Sequence, residues 1–128
     1  MKTRITVLLG LSLLLVATYA YGQLSVTKAS IDFPFTVECK ALPAGQYEFT
    51  QTDDGIAVRV QGEGTHGALA MIITRLGGEM HEKKLASYVV FDKVGEIYTL
   101  SEIWFPGEDG YLMATTKVKH THKTVHMK

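Results

Sequence analysis

The chain reads as an all-β domain, an antiparallel β-sandwich or small β-barrel, behind a cleavable secretory leader. Three observations predict this. Apolar and polar residues alternate with period two over several short runs, Gly, Pro and Asp-Gly turn signals separate those runs, and no stretch carries a persuasive helical period. The leader occupies residues 1–22. Lys2 and Arg4 form a basic start, and Ile5 to Val16 are apolar apart from Thr6, Gly10 and Ser12. Ala20-Tyr21-Gly22 fits the small-x-small cleavage rule, with Thr18-Tyr19-Ala20 a usable alternative. The apolar run is shorter than the roughly 20 residues of a membrane-spanning helix. The expected product is exported, periplasmic or extracellular, with no stable membrane span after cleavage.

The strands follow in order. Ile31, Phe33, Phe35 and Val37 alternate with Asp32, Pro34, Thr36 and Glu38, which predicts an edge or bulged strand because Pro34 donates no hydrogen bond. Leu42-Pro43-Ala44-Gly45 is a turn, since proline presets φ and glycine permits positive φ. Tyr47 and Phe49 alternate with polar neighbours, and Asp53-Asp54-Gly55 predicts a hairpin to Ile56, Val58 and Val60. Gln61 to Gly67 is a glycine loop. Ala68 to Thr74 is a continuous apolar run, read as a strand buried on both faces. Arg75 to Ala86 reads as a long loop or short helical turn. Tyr88 to Asp92 and Glu96 to Phe105 are strands joined at Val94-Gly95. Tyr111 to Lys119 is the last extended segment of a β-domain over residues 23–119, and residues 120–128 form a His/Lys-rich tail. The count is seven or eight short strands. Phe33, Phe35, Tyr47, Phe49, Phe91 and Trp104 are the expected core stripe.

Composition narrows the function classes. The full chain has 13 basic and 13 acidic residues, so it carries no electrostatic footprint for nucleic acid. Cys39 is the single cysteine, so no internal disulfide staples the fold. Gly62-Glu63-Gly64-Thr65-His66-Gly67 spells G-x-G-x-x-G, but a dinucleotide site needs a helix after it, and a strand is expected there. His81-Glu82 begins H-E-x-x-H and fails at Leu85. Glu102 sits among apolar neighbours where burial would raise its pKa, or it faces solvent. No nucleophile, base and orienter come together, so the reading is non-enzymatic.

Certain strings occur together in a recognisable order. They are Ile31-Asp32-Phe33-Pro34-Phe35, Leu42-Pro43-Ala44-Gly45-Gln46-Tyr47, Val90-Phe91-Asp92-Lys93-Val94-Gly95 and Tyr98-Thr99-Leu100-Ser101-Glu102-Ile103-Trp104. In this the chain resembles a group of small exported, functionally uncharacterised proteins of acidobacteria and related soil bacteria. Their pattern is approximately VPFDF, LPAGxY and VFxxxGxxYFLSEVW, and the likeness spans about residues 30 to 107. The resemblance implies an exported β-domain and carries no catalytic residues. Members of that group often have a basic residue or histidine where Asp92 stands here, and their C-terminal segments are not histidine-rich.

The sharpest local signal is that C-terminal segment. From Tyr111 to Lys128 there are four lysines, three histidines and no acid. In an extended strand His120, His122 and His126 share one parity and point to one side. Neutral imidazoles suit Cu(II), Ni(II) or Zn(II), and Met127 would add a soft ligand for Cu(I). Lys119, Lys123 and Lys128 oppose a cation there, and a solvated basic edge strand and tail is the plainer alternative. Three function classes follow. The first is an exported interaction or structural module that pairs with an unidentified protein or with itself. The second is a periplasmic metal binder through His120, His122 and His126. The third is a carrier of a small apolar ligand.

Overall fold

The computed structural model describes residues 26–78 and 86–128. The leader expected over residues 1–22 lies outside them, as do Glu79, His81 and Glu82. The described chain is all-β, with eleven short strands rather than seven or eight. The strands form two sheets that do not close into a barrel.

Strand β1 (Val26–Ile31) buries Thr27, Ala29 and Ile31 and exposes the residues between them. The chain then leaves the first sheet at Asp32–Pro34, and β2 (Phe35–Val37) starts in the second. The single strand expected over residues 31–37 is therefore two strands, broken where proline cannot donate to a ladder. Strand β3 (Lys40–Leu42) returns from β2 through a two-residue turn at Glu38 and Cys39. Both turn residues have positive φ, 46° and 70°, the hand that matches strand twist. The Pro43-Ala44 turn leads to β4 (Gly45–Gln51), and Gly55, at φ 73°, closes the predicted hairpin to β5 (Ala57–Gln61). The glycine loop joins β5 to β6 (Gly67–Met71), as its sequence predicted.

The apolar run Ala68 to Thr74 is not a doubly buried strand. It is the edge strand β6, followed by β7 (Thr74–Leu76), and only Ala70 is buried. In β6 Ala68 and Ala70 face the core while Leu69 and Met71 face out, so hydrophobicity alone misreads it. Part of the expected loop at Arg75 is β7. Strands β8 (Tyr88–Val94), β9 (Ile97–Trp104), β10 (Gly110–Leu112) and β11 (Thr121–His126) complete the fold.

The first sheet has the order β1-β4-β5-β6, and the second β11-β8-β9-β10-β7. Strand β2 lies beside β9 through the parallel pair Thr36–Thr99, so the pairing is not wholly antiparallel. Ile31, Phe49, Val58 and Val60 of the first sheet meet Val89, Phe91, Ile103 and Phe105 of the second in one core. Phe33 packs edge-on to Phe91, at 5.1 Å between ring centroids, and stacks on Tyr98 at 4.1 Å. Trp104 departs from the expected stripe. With Tyr88 and Val90 it forms a separate cluster on the opposite face of the second sheet.

The segment expected as a tail is built into the domain. Strand β11 pairs with β8 along its whole length, Met127 is buried, and Lys28 and Lys128 exchange two backbone hydrogen bonds. Strand β10 lies beside β9 and β11 beside β8, on opposite flanks. Residues 113–120 must therefore cross the second sheet, and this crossing creates the candidate site.

Candidate metal centre

Asp92 sits near the end of β8 with the parity opposite to Phe91 and Val89, so it faces away from the core. An acid on an outer face is normally solvated, yet Asp92 is only 3% exposed. The crossing segment buries it. The Met113 N–H donates to the Ser101 carbonyl at 2.7 Å, and Ser101 Oγ donates to the Ala114 carbonyl at 3.2 Å. Ser101 is the extra residue of a bulge in β9, because Val90 pairs with Glu102 and Phe91 with Leu100. The Thr116 hydroxyl then donates to Asp92 Oδ2 at 2.8 Å.

The other carboxylate oxygen faces two imidazoles. His122 is the direct cross-strand partner of Asp92 on β11, and its Nδ1 lies 3.0 Å from Asp92 Oδ1. His120, at the end of the crossing segment, places Nε2 3.8 Å from the same oxygen. The two rings are nearly perpendicular, with centroids 4.9 Å apart. Despite the short distance to His122, Oδ1 accepts no well-directed hydrogen bond among the described residues. The contact has the distance of an ion pair without the angle of a hydrogen bond.

One tautomer is fixed by the backbone. His120 Nδ1 lies 2.8 Å from the Val118 carbonyl, which can only accept, so Nδ1 carries the proton. In a neutral His120 ring, Nε2 then bears the lone pair, and that lone pair faces a buried carboxylate oxygen. The separation leaves room for a cation bound by both atoms. A backbone carbonyl that orients the far nitrogen of a histidine is the usual outer support of a metal ligand.

The histidines do not act as one row. His122 joins Asp92 and His120, whereas His126 lies two residue pairs farther along β11, about 13 Å away. The His126 ring sits edge-on to Tyr88 at 6.1 Å. Met127 is buried in the core, so it is not available as a soft ligand. Asp92 is the member of this cluster that sequence reasoning missed. Its signal was an acid within the apolar run Tyr88-Val89-Val90-Phe91, but only the strand register and the crossing segment reveal the burial.

A surface groove of about 370 Å³ adjoins the cluster, lined by Tyr88, Val90, Glu102, Trp104, His122, Thr124 and His126. His122 belongs to both. Glu102 stands half-buried in the groove wall, where desolvation raises its pKa. The nearby His122 opposes that rise, and Asp92 adds to it. Glu102 thus faces outward from the sheet and is still shielded from water. Cys39 is exposed at the β2–β3 turn, remote in sequence from the site.

Comparison with protein-family models, with curated proteins and with solved structures returns no match to this chain.

Proposed function

We propose that the protein is an exported, non-enzymatic β-domain that binds a divalent transition-metal ion through Asp92, His120 and His122. The observation that supports this is the convergence of three ligand residues, one carboxylate and two imidazoles. One donor atom from each residue lies within 4.8 Å of the others. Metal–ligand bonds of ~2.1 Å set tetrahedral donors roughly 3.4 Å apart. The observed separations of 3.0 and 3.8 Å lie on either side of that spacing. Two imidazoles and a carboxylate suit Zn(II), Cu(II) or Ni(II), with water completing the coordination. The carboxylate supplies the negative charge that a divalent cation needs, and for this reason Asp92 matters more than a third histidine.

Calorimetric titration with Zn(II), Ni(II) and Cu(II) tests the assignment. Changes to outer-shell partners typically weaken metal sites ~10–100-fold, so losing a ligand should weaken this one by at least ~100-fold. That loss is expected for Asp92→Asn, His120→Ala and His122→Ala, with His126→Ala close to the parent. Zinc binding in Asp92→Asn as tight as in the parent would sink the site. Trp104 is the single tryptophan and lines the adjoining groove, so its quenching by Cu(II) gives a second readout.

A second reading, an interaction module, rests on a different surface. Leu69, Met71 and Ile73 form an exposed apolar row along β6 and its exit, with Ile56 also exposed. Such contiguous exposure marks association surfaces. Backbone pairing at this edge is partly blocked. Glu38 Oε1 accepts the Met71 N–H at 2.7 Å, and Lys40 donates to the Gly67 carbonyl. Association would then use side chains, with a second copy or another protein. Size-exclusion chromatography with cross-linking tests it, and a strict monomer with no cross-linked partner would remove it.

A further inference from the structure

The three proposed ligands come from three separately held pieces of chain. Asp92 belongs to β8, inside the second sheet, and His122 to β11, its outermost strand. His120 ends the segment that crosses over both β9 and β8. The crossing segment is lightly fastened. Beyond Ala114, its side-chain ties among the described residues are the Thr116 bond to Asp92, the His120 contact with the same carboxylate and the local His120 bond to Val118. Residues Thr121 to Thr124 of β11 are all exposed, and burial resumes only at Val125 and Met127. The C-terminal end of β11 is anchored by Met127 and Lys128, whereas its start depends on the crossing segment and on pairing with β8.

We infer that the metal acts as a clasp, fastening residues 113–120 and the start of β11 onto β8. This inference rests on the metal site proposed above and adds to it a conformational consequence. Thr116 is the positioning residue of the clasp. Its bond to Oδ2 turns Oδ1 toward the histidines, so the crossing segment both covers the carboxylate and aims it. Without metal, the His120 end of this corner opens locally while the first sheet stays closed. With metal, the two histidine-bearing segments and β8 move as one unit. Ligand binding stabilises the structure that contains the complete site, and the gain falls on the element that supplies the ligands.

Hydrogen exchange of the purified protein, read by mass spectrometry with and without Zn(II), tests the clasp. Zinc is expected to slow exchange across residues 113–124 at least tenfold and to leave β4, β5 and β6 unchanged. Equilibrium dialysis of the same samples separates two failures. Retained zinc with unchanged exchange in residues 113–124 overturns the clasp alone, and so does slowing spread evenly over both sheets. No retained zinc overturns the metal site and the clasp with it. Thr116→Val keeps the size of the side chain and removes its hydrogen bond. Zinc affinity in that variant should fall about tenfold, with the zinc-free exchange of β4 to β6 unchanged. Parent-like affinity would overturn the positioning role.

Discussion

The two sheets are built from the same kinds of residue and differ in what happens on their outer faces. The first sheet, β1-β4-β5-β6, keeps its alternation simple, with the core on one side and exposed side chains on the other. Its edges are closed by backbone and charge, at Lys128 against β1 and at Glu38 and Lys40 against β6. The second sheet buries apolar side chains on both faces. Its outer face holds the Tyr88–Val90–Trp104 cluster and the buried Asp92. The difference comes from connectivity. Among the described residues, only the second sheet has a chain segment crossing its outer face, and a covered polar group there must find partners. The candidate ligands collect where the topology forces burial on a face that strand periodicity leaves to solvent.

The shared core is the place where the two sheets should not differ. Phe49 and Phe91 are both fully buried, one from each sheet. Alanine at either position should cost about 3–5 kcal/mol, the usual range for a buried phenylalanine. Chemical denaturation would check this. A several-fold disparity between the two variants would mean that one sheet is far less committed to the core than the packing indicates.

Glycines under aromatic rings give the next largest effect and make a matched pair. A Cβ on Gly62 would lie 2.7 Å from the Tyr47 ring in the first sheet, and one on Gly110 would lie 2.5 Å from the Trp104 ring in the second. Each alanine substitution should cost ~1–3 kcal/mol through displacement of the ring. Gly110→Ala should be the worse of the two. Its Cβ makes the closer approach, and both rings are held, Tyr47 by Phe35 at 5.0 Å and Trp104 by Tyr88 at 5.9 Å between centroids. Thermal melts of both variants, with Trp104 fluorescence for the second, would show whether the order holds.

The smallest expected effect separates the outer faces by pH. Glu102 has its pKa raised by burial, so the folded state disfavours its charge. A raised carboxyl pKa means that the folded protein holds the proton to higher pH than the unfolded chain does. Stability therefore falls as pH rises from the ordinary glutamate value, ~4.3, through the folded value. Glu102→Gln should raise the melting temperature slightly at pH 7 and leave it unchanged near pH 3.5. Because the side chain is only half-buried, solvent screening keeps the difference small. An equal change at both pH values would show that packing, rather than charge, governs this position.

How much of this was legible in the sequence depends on the range of the contacts involved. The turns at Pro43-Ala44 and Asp54-Gly55, and the β4–β5 hairpin between Tyr47 and Val60, followed from residues only a few positions apart. So did the glycine loop at Gln61 to Gly67, which leads into strand β6 and not into a helix. The run at Ala68 to Thr74 was misread because hydrophobicity does not say whether a strand is central or at an edge. The site was half legible. His120 and His122 stood out by spacing, and His126 was grouped with them by a parity that holds along the strand but ignores distance along it. Asp92 was hidden, because its role depends on Thr116 and His122, 24 and 30 positions later in the chain.

The β class, the principal turns and a histidine-bearing C-terminal segment can be read from the chain alone, since period-two patterning and turn chemistry act over a few neighbouring residues. That this segment is an edge strand, that residues 113–120 cross the second sheet, and that the crossing buries a carboxylate beside two imidazoles emerge only in the folded molecule. Strand order and burial depend on contacts between residues far apart in the chain. No local pattern encodes which acid will be covered or which histidine will face it.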